Sequence, residues 1–158
     1  MYIGNLRDPA SGISVASSFY KSNTTIPLPP DIPADKSNPD SPLTGWSWDS
    51  LLAAGVDVAL TVGEKQNRVW ISRIVLRQEG RSAIEKVTLL RWEADGALVP
   101  VGRTHTEQTL TGDVTVDAGC FADELIVRIE TDYFQLQLSD IEVIGAVFDE
   151  PVIFPVPE

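Results

Sequence analysis

Apolar and polar residues alternate with period two over much of this chain, the pattern of strands that bury one face. Val56, Val58, Leu60 and Val62 interleave with Asp57, Ala59 and Thr61, which predicts a half-buried strand. Residues 69–77 are rich in β-branched and aromatic side chains, and residues 84–92 follow after a Gly80-Arg81-Ser82 break. An Ala94-Asp95-Gly96 turn then joins Trp92 to residues 98–101, a hairpin signal. Further strand-like runs cover residues 109–116, 125–129 and 134–147. Residues 50–55 (SLLAAG) have the length for one helical turn; nothing else offers ten residues at helical spacing.

The last run is out of phase with itself. Leu136 and Leu138 occupy even positions, whereas Ile141 and Val143 occupy odd ones. A strand can bury both pairs only if one residue is extra, so the pattern predicts a β-bulge at Ser139-Asp140. Bulges re-aim side chains, which singles out Asp140. Seven or eight short strands separated by turns point to an all-β fold, an antiparallel β-sandwich.

The first 45 residues read differently. Pro27, Pro29, Pro30, Pro33, Pro39 and Pro42, with Ser, Asn and Asp between them, exclude a helix and favour extended or turn conformations. The expected organisation is an extended N-terminal segment and Pro-rich loop over residues 1–45, packed on a sandwich core over 46–147. A Pro-containing exit segment follows over 148–158, leading toward a further domain.

Charge narrows the partners. Twelve Lys and Arg against 23 Asp and Glu give the 158-residue chain a net charge of −11 and a pI near 4.4. Nucleic acids and anionic membranes need clustered cations, so they are not expected partners. No apolar run approaches the length of a membrane span, and the N-terminus lacks the apolar stretch of a signal peptide. One cysteine and one histidine exclude intrachain disulfides, Cys-based zinc clusters and most His-centred metal sites. Catalytic residues are not apparent. His105 has no GxSxG partner motif, Cys120 reads as a small hydrophobe, no carboxylate pair stands out, and no phosphate loop occurs.

Two constellations carry candidate chemistry. Trp46 and Trp48 flank Ser47 where the Pro-rich segment meets the first core strand, Trp70 sits inside a strand, and Trp92 ends one just before a turn. Aromatic rings stack on the apolar faces of pyranose sugars; core packing is the alternative reading. Asp31, Asp35, Asn38 and Asp40 fall within ten residues, and Asp140 and Glu142 lie on the bulged strand. Such hard oxygens suit Ca²⁺; a solvated acidic loop is the alternative.

Several stretches, in order, carry a family resemblance. Residues 35–46 (DKSNPDSPLTGW) resemble a loop of Asp-Gly, an Asn/Asp-Pro-Asp-type turn, then Thr and Trp. Residues 56–63 (VDVALTVG), 69–76 (VWISRIVL), 125–130 (LIVRIE) and 138–145 (LSDIEVIG) resemble the strands that follow. Together, over roughly residues 35–147, they resemble the galactose-binding-like fold, specifically the discoidin (factor V/VIII type C) group and its carbohydrate-binding-module relatives. The tail resembles linkers that lead into bacterial glycoside hydrolase domains.

The resemblance implies a jelly-roll sandwich with no catalysis of its own. It implies an ancillary, carbohydrate-binding module from a larger glycan-degrading protein, extracellular or at the cell surface. Its partner would be a glycan or an adjacent catalytic domain; a packing module with no free ligand is the alternative. In sugar-binding relatives one ring comes from the loop before the last strand and one arginine from the loop after the early strands. Tyr133 or Phe134 and Arg77 or Arg81 occupy those stretches, with Trp46 and Trp48 as the next candidates. The resemblance also implies a structural Ca²⁺ held by Asp35, Asp40, Thr44 and Asp140. Two positions depart from the pattern: Lys36 stands where the family has Gly, and Asp140 where it has Glu.

Overall fold

The alternating runs pair into two antiparallel sheets stacked face to face. The computed structural model describes residues 1–21, 23, 27, 46–48, 55–62, 69–78, 83–93, 95–106, 109–110, 112–121, 123–131 and 136–150. Within them twelve strands run in chain order: β1 (Tyr2–Asn5), β2 (Val15–Lys21), β3 (Trp46–Trp48), β4 (Gly55–Val62), β5 (Val69–Gln78) and β6 (Ala83–Ile84). Then come β7 (Lys86–Trp92), β8 (Leu98–His105), β9 (Thr109–Leu110), β10 (Asp113–Phe121), β11 (Glu124–Glu130) and β12 (Leu136–Val147). Sheet A has the order β1-β12-β5-β10, with β3 also paired to β12, and sheet B the order β2-β4-β11-β7-β8. Strands β6 and β9 form a small ladder of their own.

The core is what the alternation predicts. Val56, Val58 and Leu60 of β4 and Leu125, Val127 and Ile129 of β11 meet Ile71, Ile74 and Leu76 of β5, all fully buried. The Asp95-Gly96 turn joins β7 to β8 with Trp92 opposite Leu98, as the hairpin signal requires. Gly102 lets β8, the last strand of sheet B, approach β10, the last strand of sheet A. It has a left-handed φ of 67°, and a side-chain carbon there would collide with the Asp117 carbonyl of β10.

The bulge is present. Along β12 the pairing with β5 passes from Leu138 opposite Gln78 to Asp140 opposite Arg77, which leaves Ser139 as the extra residue. Leu136, Leu138, Ile141 and Val143 are all buried as a result.

The N-terminal boundary differs from the expectation. Strands β1 and β2 belong to the two sheets, so the sandwich begins well before residue 46. Both are edge strands with no fully buried residue among them, so their alternation is too weak to stand out in the sequence.

One edge of β12 is shared. Strand β3 pairs with Leu136–Leu138 and β1 with residues 144–147. Between them the chain after β1 takes over. The Leu6 amide donates to the Val143 carbonyl at 2.7 Å, and the Val143 amide donates to Asn5 Oδ1 at 3.3 Å. Arg7 Nη1 then donates to the Ile141 carbonyl at 2.8 Å.

Candidate functional site: a cleft on the outer face of sheet B

Strand parity decides which side chains face outward on sheet B. In β4 the even positions fill the core, so Asp57, Ala59 and Thr61 face away from it. The ladder registers extend this across the sheet. One row reads Tyr20, Asp57, Arg128, Thr88; the next reads Ser18, Ala59, Ile126, Leu90, Pro100. Two residues further along each strand lie Thr61 and Glu124, with Trp92 opposite Leu98.

The middle row is an apolar floor. Ala59, Ile126 and Leu90 are only 5–7% exposed although they lie on an outer face, with Tyr20 and Leu98 packed against them. Their neighbours pack against them from the sides and leave Ala59 and Ile126 at the bottom of a concavity.

An ion pair stands beside the floor. Asp57 and Arg128 are directly opposite on adjacent strands. Arg128 Nε donates to Asp57 Oδ1 at 3.0 Å and Nη2 to Oδ2 at 3.1 Å, a two-pronged fork. Asp57 is 5% exposed, so the pair is largely withdrawn from water. Asn23 closes the network from a left-handed backbone position, φ 59°, which asparagine tolerates. Its amide donates to Asp57 Oδ2 at 2.9 Å, and its side-chain oxygen accepts from Arg128 Nη2 at 3.3 Å.

At the other end, Trp92 is 49% exposed, and its Nε1–H donates to Glu124 Oε1 at 3.3 Å. Tyr20, Asn23, Asp57, Ala59, Trp92, Leu98, Glu124, Ile126 and Arg128 line a single open concavity of about 530 Å³. That is within the range of small-molecule sites. Chemically, the cleft offers aromatic surface, an apolar floor, and polar groups held in fixed directions by one another.

One of the expected ligand-binding residues, Arg77, lies outside this cleft. Arg77 is on the outer face of sheet A, where Nε and Nη2 donate to Glu142 and Nη1 donates to Asp113. The hydrogen bond and charge of Glu142, and then Asp113 and Asp140, raise the Arg77 pKa above its ordinary value. Its donors serve these carboxylates. Trp46 and Trp48 lie on β3, opposite Leu138 and Leu136 in register. Arg81, Tyr133, Phe134, Asp35, Asp40 and Thr44 lie outside the described residues, as do residues 50–54 and the exit segment from 151. Trp70 packs edge-on against Phe121 with ring centroids 5.0 Å apart. Cys120 is buried, and burial pushes its thiol pKa up.

Asp140 is the described member of the expected Ca²⁺ set. Its Oδ1 accepts from the Ile141 amide at 2.8 Å and lies 3.7 Å from Arg7 Nη1. Burial lowers the Arg7 pKa while Asp140 opposes that shift, and the guanidinium stays charged. A resident guanidinium on this carboxylate fits a hard divalent cation poorly, because the two positive charges compete for one oxygen. Among the described residues, no group of three or more His, Cys, Asp or Glu side chains is placed to hold a metal ion.

Sequence reasoning did not find the cleft. Asp57 in the middle of a valine-rich strand was a signal, and so was Trp92 at a strand end. The other members become neighbours only once the order β2-β4-β11-β7 is known.

Neither a protein-family model nor a curated protein matches the sequence. Solved structures do. The chain is similar to the family 32 carbohydrate-binding module from C. perfringens NanJ, solved in complex with galactose. That likeness has 18% identity, a TM-score of 0.53, and coverage of 89% of this chain and 97% of that one. It is also similar to the family 32 carbohydrate-binding module from Streptococcus pneumoniae EndoD, at 13% identity, with a TM-score of 0.50 and coverage of 81% and 94%. At these identities the likeness is one of fold, the galactose-binding-like β-sandwich that the sequence resemblance implies.

Proposed function

We propose that this chain is a non-catalytic glycan-binding module whose ligand lies in the cleft on sheet B. The carrying observation is Trp92. A tryptophan left half-exposed on a sheet face, with its N–H fixed by Glu124 and an apolar floor beside it, presents a ring to a ligand instead of to the core. A sugar has apolar C–H faces that suit such a ring and hydroxyl rims that suit Arg128, Asp57, Asn23 and Glu124. The galactose bound by a module of the same fold supports this reading. Service to a larger, extracellular glycan-degrading protein is the setting we propose for it.

Affinity electrophoresis and a glycan array test the reading, with wild-type protein beside Trp92→Ala and Arg77→Ala. Retention by wild type and Arg77→Ala, with loss in Trp92→Ala, is the expected result. Retention that fails in Arg77→Ala and survives in Trp92→Ala would move the site to sheet A. No retention on any glycan would leave the same face as a surface for packing against a neighbouring domain.

A further inference from the structure

The spacing of the two aromatic residues says what length of ligand the cleft accommodates. Tyr20 is on β2 and Trp92 on β7, three inter-strand steps apart across sheet B. In register Tyr20 is level with Thr88, four residues from Trp92 along β7. Ordinary strand spacing and rise then put the two backbone positions about 20 Å apart. That is far longer than one pyranose ring, yet both residues line one continuous concavity. The line joining them crosses Ala59 and Ile126 of the floor, with Arg128 on one flank and Glu124 on the other.

Charge restricts the ligand further. Among the described residues lining the cleft, Arg128 is the cation, and Asp57 neutralises it through both carboxylate oxygens. Glu124 adds a carboxylate, and the whole chain carries a net charge of −11. A polyanionic chain would approach a negative surface on which the cation among the described lining residues is already engaged.

Resting on the reading given above, we propose that the cleft takes several consecutive units of an uncharged glycan chain, laid obliquely across sheet B from Tyr20 to Trp92. One end of the chain stacks at Trp92, the other lies at Tyr20, and the intervening units sit over Ala59 and Ile126. Their hydroxyls face Arg128 and Asn23 on one side and Glu124 on the other. A single sugar reaches one aromatic residue and binds weakly, because it covers little of the cleft.

Isothermal titration with neutral gluco-, manno- and galacto-oligosaccharides of one to six units tests this, with oligogalacturonides as the charged counterpart. In the series that binds, Kd is expected to fall at least tenfold between one unit and four, then level off. Oligogalacturonides show no such gain at low salt. Tyr20→Ala and Trp92→Ala each remove the gain from length, and Trp92→Phe restores part of it; circular dichroism checks that each variant is folded. In NMR spectra of the wild type, a tetrasaccharide shifts the Tyr20 amide and the Trp92 indole together, which tests the span without any substitution. Affinity independent of length would overturn the proposal while leaving glycan binding standing. Tighter binding of the uronate series would overturn the uncharged ligand. Failure of every series to bind would overturn both this proposal and the function it rests on.

Discussion

On the outer face of sheet A, Arg77 sits between Glu142 on β12 and Asp113 on β10, with its side chain 40% exposed. On the outer face of sheet B, Arg128 meets Asp57 across one strand boundary, with only 20% and 7% of the two side chains exposed. The ingredients are alike, and the surroundings are not. Water reaches the Arg77 cluster and screens it, so its members stabilise the fold little. The Arg128–Asp57 pair borders Ala59 and Ile126, and Asn23 reaches both partners. An arginine and a carboxylate on a sheet face thus serve two ends. Exposed, they form a hydrated surface; set beside an apolar floor, they become fixed walls against which a ligand can be oriented.

The largest expected effect breaks the buried pair. Asp57→Ala leaves the Arg128 charge without its carboxylate and is expected to cost about 3–5 kcal/mol of unfolding free energy, measured by urea denaturation. A loss below about 1 kcal/mol would make the pair equivalent to an exposed one and erase the difference between the faces. Next comes the floor. Ile126→Ala is expected to cost about 2–3 kcal/mol, as a core truncation would, although residue 126 faces outward. If the cost stays near that of a surface change, the floor is not a packed layer.

Arg77→Ala sharpens the contrast from the other side. Its pairs are exposed, so the expected loss is at most about 1 kcal/mol in the same titration. Trp92→Ala is expected to change stability by no more than about 0.5 kcal/mol, as exposed positions do, while abolishing glycan retention. That split between fold and binding separates a ligand platform from a structural residue. Smallest of all is the expected response to a chelator. With Arg7 already on Asp140, EDTA should leave the melting temperature unchanged, and a clear fall would return the Ca²⁺ reading to this strand.

The phase of the apolar positions was enough to read the sandwich and even its bulge. Leu136, Leu138, Ile141 and Val143 cannot all be buried in an unbroken strand, so local pattern alone dictates the extra residue. Strands β1 and β2 escaped notice because edge strands have little to bury and hence little alternation to display. The cleft was hidden for a different reason. Tyr20, Asp57, Arg128 and Trp92 are separated by long stretches of chain, and only the strand order and register of sheet B bring them onto one surface. Arg77 is a candidate through the family resemblance alone, and it pairs with Glu142 and Asp113 on the strands beside it. A single sequence records which face a residue occupies far better than which residues become its neighbours.

Arg7 has a consequence that concerns many molecules instead of one. Between β3 and β1 the Ile141 carbonyl of β12 accepts from the Arg7 guanidinium and not from a strand amide. An open stretch of edge is a template on which another molecule's strand can add, and addition of that kind propagates with concentration. A charged side chain seated on that carbonyl denies the template, because an incoming strand would have to displace it or bury its charge. The Ser139 bulge helps by twisting the same stretch out of line. The side chain of Arg7 thus acts beyond its own fold, by making this stretch of β12 a poor partner for a second molecule.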